Sequence, residues 1–216
     1  MLHPSLKIHQ MATHSFTVKE SLKYGWDTFK KNWQFLIAVF AIVVLAGMIP
    51  NWLHDWSRDN MPNVSFVFSI ISWLIQMITG IGVIVISLKI VDGKKPNISD
   101  LYTHSSLLLN YFLGSLIYGL VTIGGFILLI IPGIIWGIKY QYITYLIIDQ
   151  GMSPMDAFRK SGKITQGHKT KLFWLGISYI GITLLGILVF GIGLIISWPI
   201  IALSGAYVYR KLSPKK

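Results

Sequence analysis

Between Leu107 and Ile148 the chain carries a single formal charge, Lys139, in an apolar run too long to cross a bilayer only once. Inside hydrocarbon every backbone N–H and C=O must be satisfied within the protein, which leaves only helices and closed barrels. The run is continuously apolar rather than alternating, which selects helices. It therefore has to turn, and Ile131-Pro132-Gly133 is the break it contains, because proline cannot donate to a helix that continues through it. A third span over about Leu107–Ile130 and a fourth ending near Ile148 follow.

The same logic places the other spans. The first runs from Trp33 to Trp52, with an indole at each end and Pro50 as its stop. At ~1.5 Å per residue it reaches about 28 Å, enough for hydrocarbon about 30 Å thick. A second span covers Val64 to Ile90, with Lys89 placed to snorkel to the surface. A fifth, Leu172 to Phe190, turns at Gly191-Ile192-Gly193 into a sixth, Leu194 to Tyr209, which has Pro199 inside it. The expected fold is all-α: a polytopic membrane bundle of six transmembrane helices in three hairpins, with interfacial amphipathic helices on the cytoplasmic side.

Those amphipathic helices come from an internal repeat. Thr17–Ile37 and Ser153–Phe173 superpose at a shift of 136 positions, which pairs Thr17 with Ser153, Glu20 with Asp156, Lys23 with Arg159 and Leu36 with Leu172. Val18, Leu22, Trp26, Phe29 and Trp33 fall near one helical face in the first copy. Thr17 with Glu20 has the capping-box spacing, and Ser153-Pro154 with Asp156 is a strong helix start. A looser third copy begins at Asn97. The modules are about 15–91, 96–150 and 152–212 of one integral membrane domain, 15–216. Residues 1–14 show no periodicity and are expected to be disordered or a misassigned start, with Met11 as the alternative initiator.

Charge decides between two kinds of partner. A net charge of +11 in a soluble protein points to nucleic acid. Here, of 19 basic residues, only Arg58 and Lys139 lie outside alternate connections between spans. That asymmetry is the positive-inside pattern, and it places both termini in the cytoplasm and the protein in the bacterial inner membrane. Lys19, Lys23, Lys30, Lys31, Arg159, Lys160, Lys163 and Lys169 become candidate contacts for anionic lipid headgroups, each worth about 1 kcal/mol near the surface. Nucleic acid is not an expected partner; a protein partner is, and the oligomeric state stays open.

Lys139, with Tyr142 and Tyr145 nearby, is a candidate intramembrane polar site. The alternative is structural: Lys139 reaches the surface or caps carbonyls freed at the Pro132-Gly133 break. No cofactor, metal or catalytic site is expected. His54, Asp55 and Asp59 fit a wet turn, no HExxH or Ser/His/Asp arrangement occurs, and no glycine-rich loop has phosphate-cradling spacing. With no Cys, disulfide and thiolate chemistry is excluded.

The stretch from Gly124 to Gly176 resembles a family of uncharacterised bacterial integral membrane proteins. The resemblance rests on Ile131-Pro132-Gly133, Lys139, Tyr145, Asp149, Ser153, Ala157, Ser161 and Gly167-His168. It implies kinship with the membrane domain of some glycerophosphoryl diester phosphodiesterases, without their catalytic domain, for which this chain has no room. The expectation is a non-enzymatic membrane protein that binds lipid or a protein partner at the inner leaflet. The competing expectation is a small transporter with a path lined by the fourth span.

Overall fold

The computed structural model describes residues 15–60, 62–188, 191 and 193–214, so the expectation for 1–14 lies outside it. The described residues are helical apart from turns and contain no strand. The helices are α1 (Val18–Asn60), α2 (Pro62–Val91), α3 (Leu108–Leu128), α4 (Ile130–Tyr140), α5 (Ile143–Gln150), α6 (Pro154–Ile164), α7 (Lys169–Leu188) and α8 (Leu194–Leu212). Among the described residues four segments are long and apolar enough to cross a membrane: Val18–Arg58, Val64–Val91, Ile98–Leu128 and Lys169–Leu188.

The apolar faces of two of these helices point away from the bundle. Along α3, Leu109, Leu113, Leu116, Leu120, Ile123 and Ile127 are exposed at helical spacing, and along α7 so are Ile177, Ile180, Leu184 and Leu188. Water would make stripes of this kind a large exposed apolar patch.

Several local expectations are corrected. Pro50 does not end the first helix, which runs on to Asn60. It does break direction at Asn32 (φ −123°, ψ 20°), where the amphipathic stretch meets the apolar one. The turn between α3 and α4 is Leu129, extended at φ −167° and ψ 156°, not the Pro-Gly pair. Pro132 instead sits in the first turn of α4, where a missing N–H removes no helical bond. Gly133 is needed for the close approach of α3, since a Cβ there would lie 2.5 Å from the Phe126 ring.

The fourth span is broken into α4 and α5 at Gln141-Tyr142. The third copy of the repeat forms 3₁₀ turns, Ile98–Leu101 and Ser105–Leu107, rather than a helix. Its Asn97 and Asp100 do make a reciprocal capping box. Lys89 pairs with Asp100 at 2.6 Å instead of snorkelling. Thr17 accepts from the Glu20 N–H, but the Glu20 carboxylate turns away to the Tyr207 hydroxyl and Lys211.

The repeat is visible in packing. At the same shift of 136, Ser21 and Ala157, Gly25 and Ser161, Phe29 and Thr165, Leu36 and Leu172, and Val39 and Leu175 are buried in both copies. Each copy packs closely on the returning helix of the preceding module. The Ile98–Leu101 turn packs on α2, where a Cβ on Gly82 would lie 2.3 Å from Leu101 Cα. α6 packs on α4 and α5, and α1 packs on α8, where a Cβ on Gly25 would lie 2.6 Å from the Ile200 carbonyl oxygen. The last contact joins first module to third and closes the three into a ring.

Candidate functional site

The break between α4 and α5 sets the geometry of the site. Interrupting a helix strands backbone groups, and side chains must replace the lost partners. Here α6 supplies them: the Ser161 and Thr165 hydroxyls each donate to the Lys139 carbonyl at 3.0 Å, and the Tyr142 N–H donates to Ser161 Oγ at 3.3 Å. Ser161 and Thr165 are fully buried. Replacing both, Ser161→Ala with Thr165→Val, leaves these groups unpaired and is expected to lower stability by about 2–4 kcal/mol. Thermal unfolding in detergent reads this out, and a loss below about 1 kcal/mol would show that water can substitute for the hydroxyls.

The same docking builds a basic pocket of about 500 Å³ lined by Lys139, Tyr140, Phe158, Arg159, Gly162, Lys163, Gln166 and Lys169. Four of these residues are cations and none is an acid. The Lys139 Nζ lies 4.9 Å from the centre of the Tyr140 ring, which stacks on Phe158 at 4.1 Å. Gly162 lets α6 approach, since a Cβ there would lie 3.1 Å from Lys139 Cε. Lys169 is the first residue of α7, so Lys139 shares a pocket with the charged entrance of an apolar helix.

Tyr142 and Tyr145 do not join it. Past the break, Tyr142 is 3% exposed and packs edge-on against Tyr145 at 5.7 Å, and both contact Tyr209. The i, i+3, i+6 spacing of the three residues held only for an unbroken helix.

Of the candidate headgroup contacts, Arg159, Lys163 and Lys169 line the pocket, and Lys160 instead donates to Gln150 Oε1 at 2.5 Å. Lys30 pairs with Asp27 at 3.1 Å, while Lys19, Lys23 and Lys31 are exposed. Among the described residues no group of His, Cys, Asp and Glu is arranged to hold a metal ion.

A second cluster was not foreseen. Asp92, Asp149 and Arg210 stand at the C-terminal ends of α2, α5 and α8, the returning helices of the three modules. The Arg210 guanidinium donates to both Asp92 oxygens at 2.6 and 2.9 Å and to both Asp149 oxygens at 2.6 and 2.7 Å. The side chains of Asp149 and Arg210 are 4% and 11% exposed. Arg210 lies past the apolar part of α8. Burial alone would lower its pKa, but the hydrogen bonds with Asp149 and Asp92 outweigh burial and raise it. Tyr209 adds a hydrogen bond to Asp149 at 2.9 Å, and Gln150 links Tyr209, Ser213 and Lys160. Every ion pair of this network lies at one end of the bundle, joined by Glu20 and Lys211 to the first turn of α1.

The sequence profile of a family described as protein of unknown function (DUF975) matches residues 112–216. That range holds the α4–α5 break, the basic pocket, Asp149 and Arg210, but not Asp92. Uncharacterised proteins of Mycobacterium bovis and of two strains of Mycobacterium tuberculosis are 25% identical over 232 aligned positions, covering 94% of this chain and 70% of each relative. No solved structure matches the chain significantly. The comparisons thus support kinship with uncharacterised proteins, and the family profile falls on the part of the chain that carries the pocket.

Proposed function

We propose that the chain is a non-enzymatic integral membrane protein of the bacterial cytoplasmic membrane that binds anionic lipid at the inner leaflet. The outward apolar stripes of α3 and α7 support this reading, because a lipid surround covers them where water would not. The finer topology has six crossings in three hairpins, with α4 and α5 as one broken crossing and α8 as the sixth. α8 buries Leu203, Ser204, Ala206 and Val208 inside the bundle, so its lipid face need not be uniformly apolar. The clustered charges of Glu20, Asp92, Asp149, Arg210 and Lys211 form the wet end, and the positive-inside pattern makes that end cytoplasmic. The exposed Lys19, Lys23 and Lys31 then face headgroups. Kinship with the membrane domain of glycerophosphoryl diester phosphodiesterases belongs to the same proposal and carries no catalysis with it.

The test is fractionation and topology together. The protein should stay in the membrane pellet through an alkaline carbonate wash, and a fluorescent reporter that folds only in the cytoplasm should light up when fused after Lys216. Release by carbonate overturns the membrane assignment, and a dark reporter active only in its exported form overturns the orientation.

A further inference from the structure

The basic pocket does not end at its cations. Lys169 also lines an apolar groove of about 360 Å³ between α4 and α7, with Ile131, Ile134, Ile138 and Phe173. That groove shares Ile134, Ile138 and Phe173 with a further one of about 300 Å³ that continues past Gly176 to Ile180. From Lys169 to Ile180 the path follows α7 for about 16 Å at ~1.5 Å per residue. Charge lies at one end and hydrocarbon at the other, on one continuous surface.

We propose that this pocket and groove together bind one anionic phospholipid, its phosphate among Lys139, Arg159, Lys163 and Lys169 and one acyl chain along α4 and α7. The inference rests on the membrane reading above and adds a defined site to it. Four cations share a confined space with no acid in its lining, and among the described residues none of the four forms an ion pair within the chain. An anion from outside completes the charge balance: the surface helix α6 brings Arg159 and Lys163 to Lys139 beside the break, and Lys169 joins them from the start of α7. A free phosphate would use the pocket but leave the groove unexplained. The groove is open where a chain would pass: a Cβ on Gly176 would meet nothing within 4 Å.

Native mass spectrometry of the full-length protein in detergent, with equimolar dioleoyl phosphatidylglycerol and dioleoyl phosphatidylcholine, tests this. Wild type should retain phosphatidylglycerol at least tenfold over phosphatidylcholine. Arg159→Ala with Lys163→Ala changes two exposed side chains and should cut phosphatidylglycerol retention roughly fivefold for each cation removed. Gly176→Phe should instead reduce both lipids by the same factor and leave their ratio unchanged. Melting temperatures within a few degrees of wild type confirm that each variant is folded, and the double variant decides the matter if Gly176→Phe is not. Equal retention of the two lipids by wild type, or unchanged retention by the double variant, overturns the proposal. So does displacement of phosphatidylglycerol by millimolar inorganic phosphate, which would assign the pocket to a free anion. A protein that needs detergent for extraction yet shows no lipid preference loses only this site, whereas one recovered without detergent loses the membrane reading beneath it.

Discussion

Arg210→Met is expected to destabilise the protein by about 3–5 kcal/mol, the cost of breaking a buried ion pair from one side. The guanidinium is shared by two carboxylates at the ends of two other helices, so its loss takes the cationic half of both ion pairs from Asp92 and Asp149 at once. Asp149, at 4% side-chain exposure, cannot turn to water without opening the junction of α5 and α8. The like charges would then repel across the space the guanidinium had filled. Unfolding followed in detergent should show a large fall in stability for the single variant. The triple variant, Arg210→Met with Asp92→Asn and Asp149→Asn, should recover most of it, because removing all the charges together also removes the desolvation penalty. A single variant within about 1 kcal/mol of wild type would mean that the cluster is wetter than its burial indicates. A triple variant no better than the single would mean that Arg210 acts through packing alone.

This cluster also shows where reading the sequence stops. Counting charges by connection treats every lysine and arginine as solvated, and Arg210 entered that count as one more cytoplasmic surface charge. Its partners lie 118 and 61 residues away, beyond any local pattern. The break at Gln141-Tyr142 was hidden for a related reason. It contains neither glycine nor proline, and it exists because the Ser161 and Thr165 hydroxyls, 22 and 26 residues from Lys139, accept the role of the missing helical donors. Hydropathy therefore gives one continuous span, with Lys139 near Tyr142 and Tyr145 along one helix. What depends on local composition was legible: the apolar runs that became the four long helices, the Ser153 cap with its 3.2 Å bond from the Asp156 N–H, and the shift of 136 that relates the two copies. The third copy shows the limit between these cases. Its capping box is formed, but the segment winds only into 3₁₀ turns, because Asp100 is drawn to Lys89 and Leu101 lies against Gly82.

The ring of modules makes a prediction of its own at Gly25. The copy at α6 is held by hydroxyls reaching a broken helix, whereas the copy at α1 meets an unbroken α8, so contact there depends on close approach. A Cβ at position 25 would lie 2.6 Å from the Ile200 carbonyl oxygen, 3.2 Å from Ile200 Cγ2 and 3.3 Å from Ser204 Cβ. The first of these is backbone in a helix that continues through Pro199, so a rotamer change cannot relieve it. Gly25→Leu should cost about 1–3 kcal/mol or more through overpacking. Gly176→Leu is the matched control: its Cβ meets open space, and leucine favours the helix over glycine by up to about 1 kcal/mol. The damage at Gly25 should also be local at first. The kink at Asn32 separates Val18–Lys31 from the rest of α1, so the clash can be relieved by lifting that first third off α8. Glu20 would then lose Tyr207 and Lys211, and trypsin should cut at Lys19, Lys23, Lys30 and Lys31 faster than in wild type while Lys89, paired with Asp100, stays protected. Uniform acceleration at all five lysines would show that the ring opens as one unit, and no acceleration would show that α1 does not close it.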